Sequence, residues 1–136
     1  MSRKQFRMFA IVLAVGSIAG IPSCGLPQQL DGVSVQPSAV HFLTPVAGAT
    51  ANLKAYGFYL HPVATKDVTS QVVWTTDADG LVTVAQDGVI TTVGNCGVVD
   101  ILASITGSPH VPKGQVYVGR ATITVIDTTD PLCPQN

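Results

Sequence analysis

Between Asp67 and Ile105 apolar and polar side chains alternate in short runs, and a turn signal cuts each run from the next. A helix would space its apolar residues three and four apart; a half-buried strand spaces them two apart. Val72 and Trp74 share one face against Gln71, Val73 and Thr75, and Val82 and Val84 share one against Thr83. Val99, Ile101, Ala103 and Ile105 then alternate strictly. Asp77-Ala78-Asp79-Gly80 and Gly94-Asn95-Cys96-Gly97 break the runs with residues suited to tight turns. Asp87-Gly88 reads as a two-residue hairpin of type I′, in which Gly supplies the positive φ. Strands rich in Val, Ile and Thr at these intervals make the expected fold all-β, an antiparallel sandwich.

Composition agrees. All eight acidic residues are Asp, so Glu, a favoured helix former, is absent and a turn former is abundant. A length of 136 residues accommodates one domain and a targeting segment. Arg3, Lys4 and Arg7 lie in the leader, so beyond residue 23 four basic residues face eight acidic ones, a net charge of −4. No basic patch is left to neutralise phosphates, and nucleic acid is excluded as an expected partner.

The N-terminus reads as an export signal. The charged start gives way to an apolar run from Met8 to Ile21, of signal-peptide length and short for a membrane span. An uncleaved anchor helix is the alternative. Ile21-Pro22-Ser23-Cys24 resembles the lipobox of bacterial lipoproteins: Ile21, Ser23 and Cys24 fit it, and Pro22 departs from the usual small or aliphatic residue. The resemblance implies a signal peptide over residues 1–23 and lipidation of Cys24. It also implies a membrane anchor through the N-terminal lipid, with Gly25 permissive for the outer membrane or cell surface. Several acyl chains anchor stably, because each buried methylene contributes about 0.8 kcal/mol.

Three cysteines in an exported chain leave one over when two pair. Lipidation of Cys24 uses the odd one and leaves Cys96 and Cys133. Cys96 precedes an expected strand at about Val98 to Thr106, and Cys133 follows the last, about Val116 to Ile126. Neighbouring antiparallel strands bring such ends together, so a Cys96–Cys133 disulfide is expected. Two unpaired thiols or a metal pair are the alternatives, although no CxxC pair or second ligand cluster accompanies them.

The remaining segments fill in the order. Residues 24–32 read as a tether, Val33 to Pro37 as a first strand at an edge, and Ala39 to Leu43 as its continuation. Ala49 to Tyr59 reads as one long strand, Leu60 to Asp67 as a loop, Ser108 to Gly114 as a hairpin loop, and residues 127–136 as a tail held by Cys133. In the last strand Ala121, Ile123 and Val125 alternate with Arg120, Thr122 and Thr124.

The run from Asp67 to Trp74, with Leu81 to Val84, Asp87 to Ile90 and Gly97 to Ile105 after it, resembles the bacterial Ig-like domain group 2 family. Thr69, Val72, Trp74, Val84, Gly88 and Ile101 stand at matching positions, and the likeness spans residues 33–126. It departs at Thr75-Thr76-Asp77, where Ser-Ser-Asn is usual, and at Cys96 and Cys133, which the family generally lacks. The resemblance implies an immunoglobulin-like β-sandwich of about seven antiparallel strands, of the kind carried by surface adhesins, lipoproteins and exported enzymes. It makes Trp74 a core ring covering both inner faces. Val72, Val84, Ile101 and Ile123 are expected in the same core.

Chemistry-bearing residues do not assemble in the sequence. His41, His61 and His110 fall in three regions, and Ser104 and Ser108 lack a nucleophile elbow. Asp77 to Gly80 resembles the start of a calcium loop, but Val89 and Ile90 stand where its closing carboxylate belongs. Asp100 is expected on a solvated face, paired with Arg120 or Lys54. No catalytic residue, cofactor or metal is expected, and the chain is not read as an enzyme. The expected function is a non-catalytic, lipid-anchored envelope protein whose single domain is a structural or adhesion module. The competing reading is a recognition or accessory subunit that binds carbohydrate or another envelope protein. Tyr56, Phe58 and Tyr117 would form one open aromatic patch in that case.

Overall fold

The computed structural model describes residues 25–107 and 114–133. The signal helix expected over residues 1–23, Cys24, His110 and residues 108–113 of the expected hairpin loop lie outside the described residues. Within them the chain is all-β. Its ten strands are β1 (Gln29–Gln36), β2 (Ala39–Phe42), β3 (Thr50–Asn52), β4 (Lys54–Leu60) and β5 (Ala64–Asp67), then β6 (Val73–Thr76), β7 (Val82–Val84), β8 (Val89–Thr92), β9 (Gly97–Thr106) and β10 (Val116–Val125). They form three sheets, ordered β1-β4-β5, β2-β10-β9-β6 and β3-β8-β7. All neighbours run antiparallel except β2 and β10, which are parallel.

The three sheets close on one core. Val35 and Ala55 come from the first sheet, Trp74, Val99, Ile101, Ala103, Ala121, Ile123 and Val125 from the second, and Val82 and Ile90 from the third. Val72 and Ile123 are fully enclosed, whereas Val84 is only partly buried against the cluster. The alternation expected on β6, β9 and β10 is present residue by residue: Trp74, Ile101 and Ala121 point in, and Val73, Val98 and Val118 point out. At Gly119 the backbone of β1 comes so close that an added Cβ would lie 3.2 Å from the Ser34 carbonyl carbon and 3.1 Å from the side chains of Val33 and Val35. A side chain there would have to push β1 away from β10, and glycine lets the two strands approach without that shift.

The strand count and several boundaries differ from expectation, each for a backbone reason. The single strand expected from Ala49 to Tyr59 is two, β3 and β4, because the partner changes at Leu53: its N–H still donates to the Gly88 carbonyl at 2.8 Å, in register with the β3–β8 pairing, and from Lys54 the chain pairs with β1. These two strands join the first and third sheets through one residue. The Leu60–Asp67 loop contains β5, whose residues pair with β4 while remaining largely exposed. β1 starts at Gln29, inside the stretch 24–32 expected as a tether, with an irregularity between Leu30 and Gly32. The hairpin after β7 is not type I′. Asp87 has no positive φ; Gly88 alone does, at 81°. The Gly88 N–H donates to Ala85 and the Ala85 N–H to Val89, so the loop has three residues, Gln86 to Gly88, with glycine in the left-handed position.

Candidate functional site

The segment before β6 positions the tryptophan. The Val72 N–H donates to the Val68 carbonyl at 3.2 Å, which turns the chain once and delivers Trp74 to the core, 6% exposed. Its indole N–H donates to the Thr69 carbonyl at 3.1 Å. The Thr69 hydroxyl accepts the buried Ala55 N–H at 3.0 Å, and its own N–H donates to Asp67 Oδ1 at 2.9 Å. One threonine thereby ties β4, β5 and β6 together. Hydrogen bonds from the Thr69 side chain and amide hold the Asp67 carboxyl below its ordinary range, with a smaller contribution from Lys54. Asp127 is lowered in the same way by the side chain and amide of Thr129.

Cys96 and Cys133 form a disulfide with a Cα–Cα distance of 5.6 Å. Gly97 lies opposite Val125 on β9 and β10, so the bond joins the start of one strand to the chain leaving the other. Asp127 and Asp130 fold that tail by accepting the Thr129 and Leu132 amides, at 2.8 and 2.9 Å. An Asp130 carboxylate oxygen lies within 4.8 Å of both sulfurs. The sulfurs are bonded to each other, and a metal would need them as thiolates. This corner is a covalent clamp on the C-terminal tail, as the cysteine spacing predicted.

Other candidate residues stand apart. His41 is exposed on β2, and His61 is exposed in the turn after β4. Asp77 Oδ1 accepts the Asp100 N–H at 2.9 Å, and the Gly80 carbonyl accepts from Asn95 at 2.7 Å, so the calcium-loop lookalike is occupied with turn bonding. Asp100 meets Arg120 at 3.3 Å and accepts the Thr122 hydroxyl at 2.7 Å, which selects Arg120 over Lys54 as its cation. Lys54 instead lies 4.0 Å from Asp67. Ser104 donates to the Val73 carbonyl at 3.3 Å, across the β6–β9 pair.

The aromatic residues do not converge. Phe58 is 42% exposed on the outer side of β4, with Tyr56 half-buried on the same side. Tyr117 is in phase with the buried Gly119 and Ala121 on β10 and covers Gly107. Its ring therefore faces away from the solvent side that a three-ring platform needs.

Two features escaped the sequence. Thr92, 2% exposed, accepts the Ala49 N–H at 3.0 Å and donates to the Val46 carbonyl, fixing the chain ahead of β3. A groove of about 740 Å³ opens between β6 and β7, lined by Trp74, Thr76, Asp79, Val82, Val84 and Val93 among others. The partners of Thr92 are far away in sequence, the groove arises where strands of two different sheets meet, and no local pattern marks either. No protein-family model matches this chain, and no curated protein matches it.

Proposed function

We propose that the chain is a non-catalytic lipoprotein of the bacterial envelope, held by lipid on Cys24, with a single Ig-like domain that acts as a structural or adhesion module. The observation that carries this reading is how closely a strand follows the lipobox-like segment. Only residues 25–28 separate Cys24 from β1. Five peptide steps reach about 17 Å at most, so a lipid on Cys24 would hold the domain against the bilayer surface.

The strand order supports an immunoglobulin-like sandwich of the group 2 type. β1, the β3–β4 run, β8 and β7 correspond to one sheet of such a fold, and β6, β9 and β10 to the facing one. Trp74 lies on the strand equivalent to the one that carries the core tryptophan of that architecture. The carbohydrate-binding alternative is not advanced, because its three rings do not share a face.

Fractionation of wild type and Cys24→Ala tests the proposal. Wild type should sediment with membranes and need detergent for release, while the variant should be soluble. An unchanged membrane fraction for the variant would count against lipid anchoring.

A further inference from the structure

Three of the six strands at sheet edges among the described residues are blunted in the ways proteins use to keep free ladders from recruiting other chains. β5 carries Lys66 and follows Pro62, β2 is flanked by Pro37 and Pro45, and β3 is three residues long. β6 is different. Val73–Thr76 contains no proline and no charge, and it pairs on one side, with β9.

The phase of that pairing is fixed by the Asp77 N–H, which donates to the Asp100 carbonyl at 3.0 Å. Bonded pairs alternate along an antiparallel ladder, so Thr75 and Val73 also bond to β9. The amides and carbonyls of Trp74 and Thr76 point to the open side. Among the described residues, the group that meets the Trp74 N–H there is Gln86 Oε1, at 3.5 Å, the outer limit of a hydrogen bond. β7 obeys the same logic. The Val93 N–H bonds to the Leu81 carbonyl and the Ala85 N–H to the Val89 carbonyl, which turns the backbone groups of Val82 and Val84 away from β8. The groove of about 740 Å³ lies where these two open edges face each other. Asp79 stands on its lining, in no ion pair among the described residues.

We propose that this groove receives an extended segment of a partner protein as an added strand on β6. Open-side donors and acceptors at ladder spacing, of which the Trp74 N–H is met only by the long bond to Gln86, specify a β-strand as occupant, since main-chain hydrogen bonds supply affinity and alternate side chains supply selectivity. The segment's inward residues are small and apolar, to pack on Val84 and Val93. A Lys or Arg of the segment sits beside Asp79. This goes beyond the structural role and does not depend on the lipid.

The test uses the full chain in detergent, titrated with a blocked synthetic peptide that alternates Val with Thr and carries a Lys. Amide shifts should concentrate on Trp74, Thr76, Val82 and Val84, and exchange of the Trp74 and Thr76 amides should slow. Thr76→Pro removes an open-side donor without touching the β6–β9 ladder and should weaken binding about tenfold, the effect of losing one hydrogen bond. Asp79→Lys, on an exposed turn, should weaken the Lys peptide and favour one carrying Glu. Absence of shifts at this edge, or equal binding by both variants, would overturn the proposal. So would a concentration-dependent dimer with shifts at the same edge, which would make a second copy the occupant.

Discussion

Thr69 shows how one side chain can fix a local arrangement. Its hydroxyl serves the buried Ala55 amide and its carbonyl serves the Trp74 indole, so the five-residue spacing from Thr69 to Trp74 has a mechanical reason. Thr69→Val should lower stability by about 1–3 kcal/mol, the cost of stranding a buried amide, as read by denaturant unfolding. The carboxyl beside it gives a pH signature. Because the Asp67 pKa is lowered by the Thr69 hydrogen bonds, its stabilisation is complete above the unfolded value, about 3.9, and disappears as pH falls through the folded one. In thermal melts the advantage of wild type over Asp67→Asn should therefore be present at neutral pH and close below about pH 4. The side chain is half-exposed and open to solvent screening, so the gap should be small.

Strand by strand, what could be read from the sequence was what burial enforces. Trp74, Ile101 and Ile123 alternate with outward-facing neighbours because one side of each strand faces the core, and period two records that fact. β5 left no such mark: Thr65, Lys66 and Asp67 are all exposed, so its pairing with β4 is a matter of backbone alone. The break at Leu53 and the groove beside β6 depend on which strands become neighbours, which no single segment encodes. Asp87-Gly88 was legible as a turn, but its loop length was not, because the Ala85–Val89 pairing sets it. Gly88 itself allows a sharp prediction. It has φ of 81°, and an added Cβ would lie 2.3 Å from the Leu53 carbonyl oxygen. Gly88→Ala should cost about 3 kcal/mol, combining left-handed strain with overpacking, and should lower the thermal midpoint clearly.

For the molecule as a whole, the proposed anchor and the disulfide clamp would act at opposite ends of the domain. A lipid on Cys24 would hold the start of β1 close to a membrane, while the Cys96–Cys133 bond secures the tail that leaves β10. That bond closes a 37-residue separation and contributes about 4 kcal/mol in the chain-entropy description, so reduction should lower the unfolding midpoint without removing the sheet signal. Intact-mass analysis of the membrane-extracted protein, before and after reduction, bears on anchor and clamp together. A chain that begins at Cys24, carries acyl groups and gains two hydrogens on reduction is the expected result. A chain that begins elsewhere, or one whose Cys24 is an unmodified thiol, would contradict the lipoprotein reading.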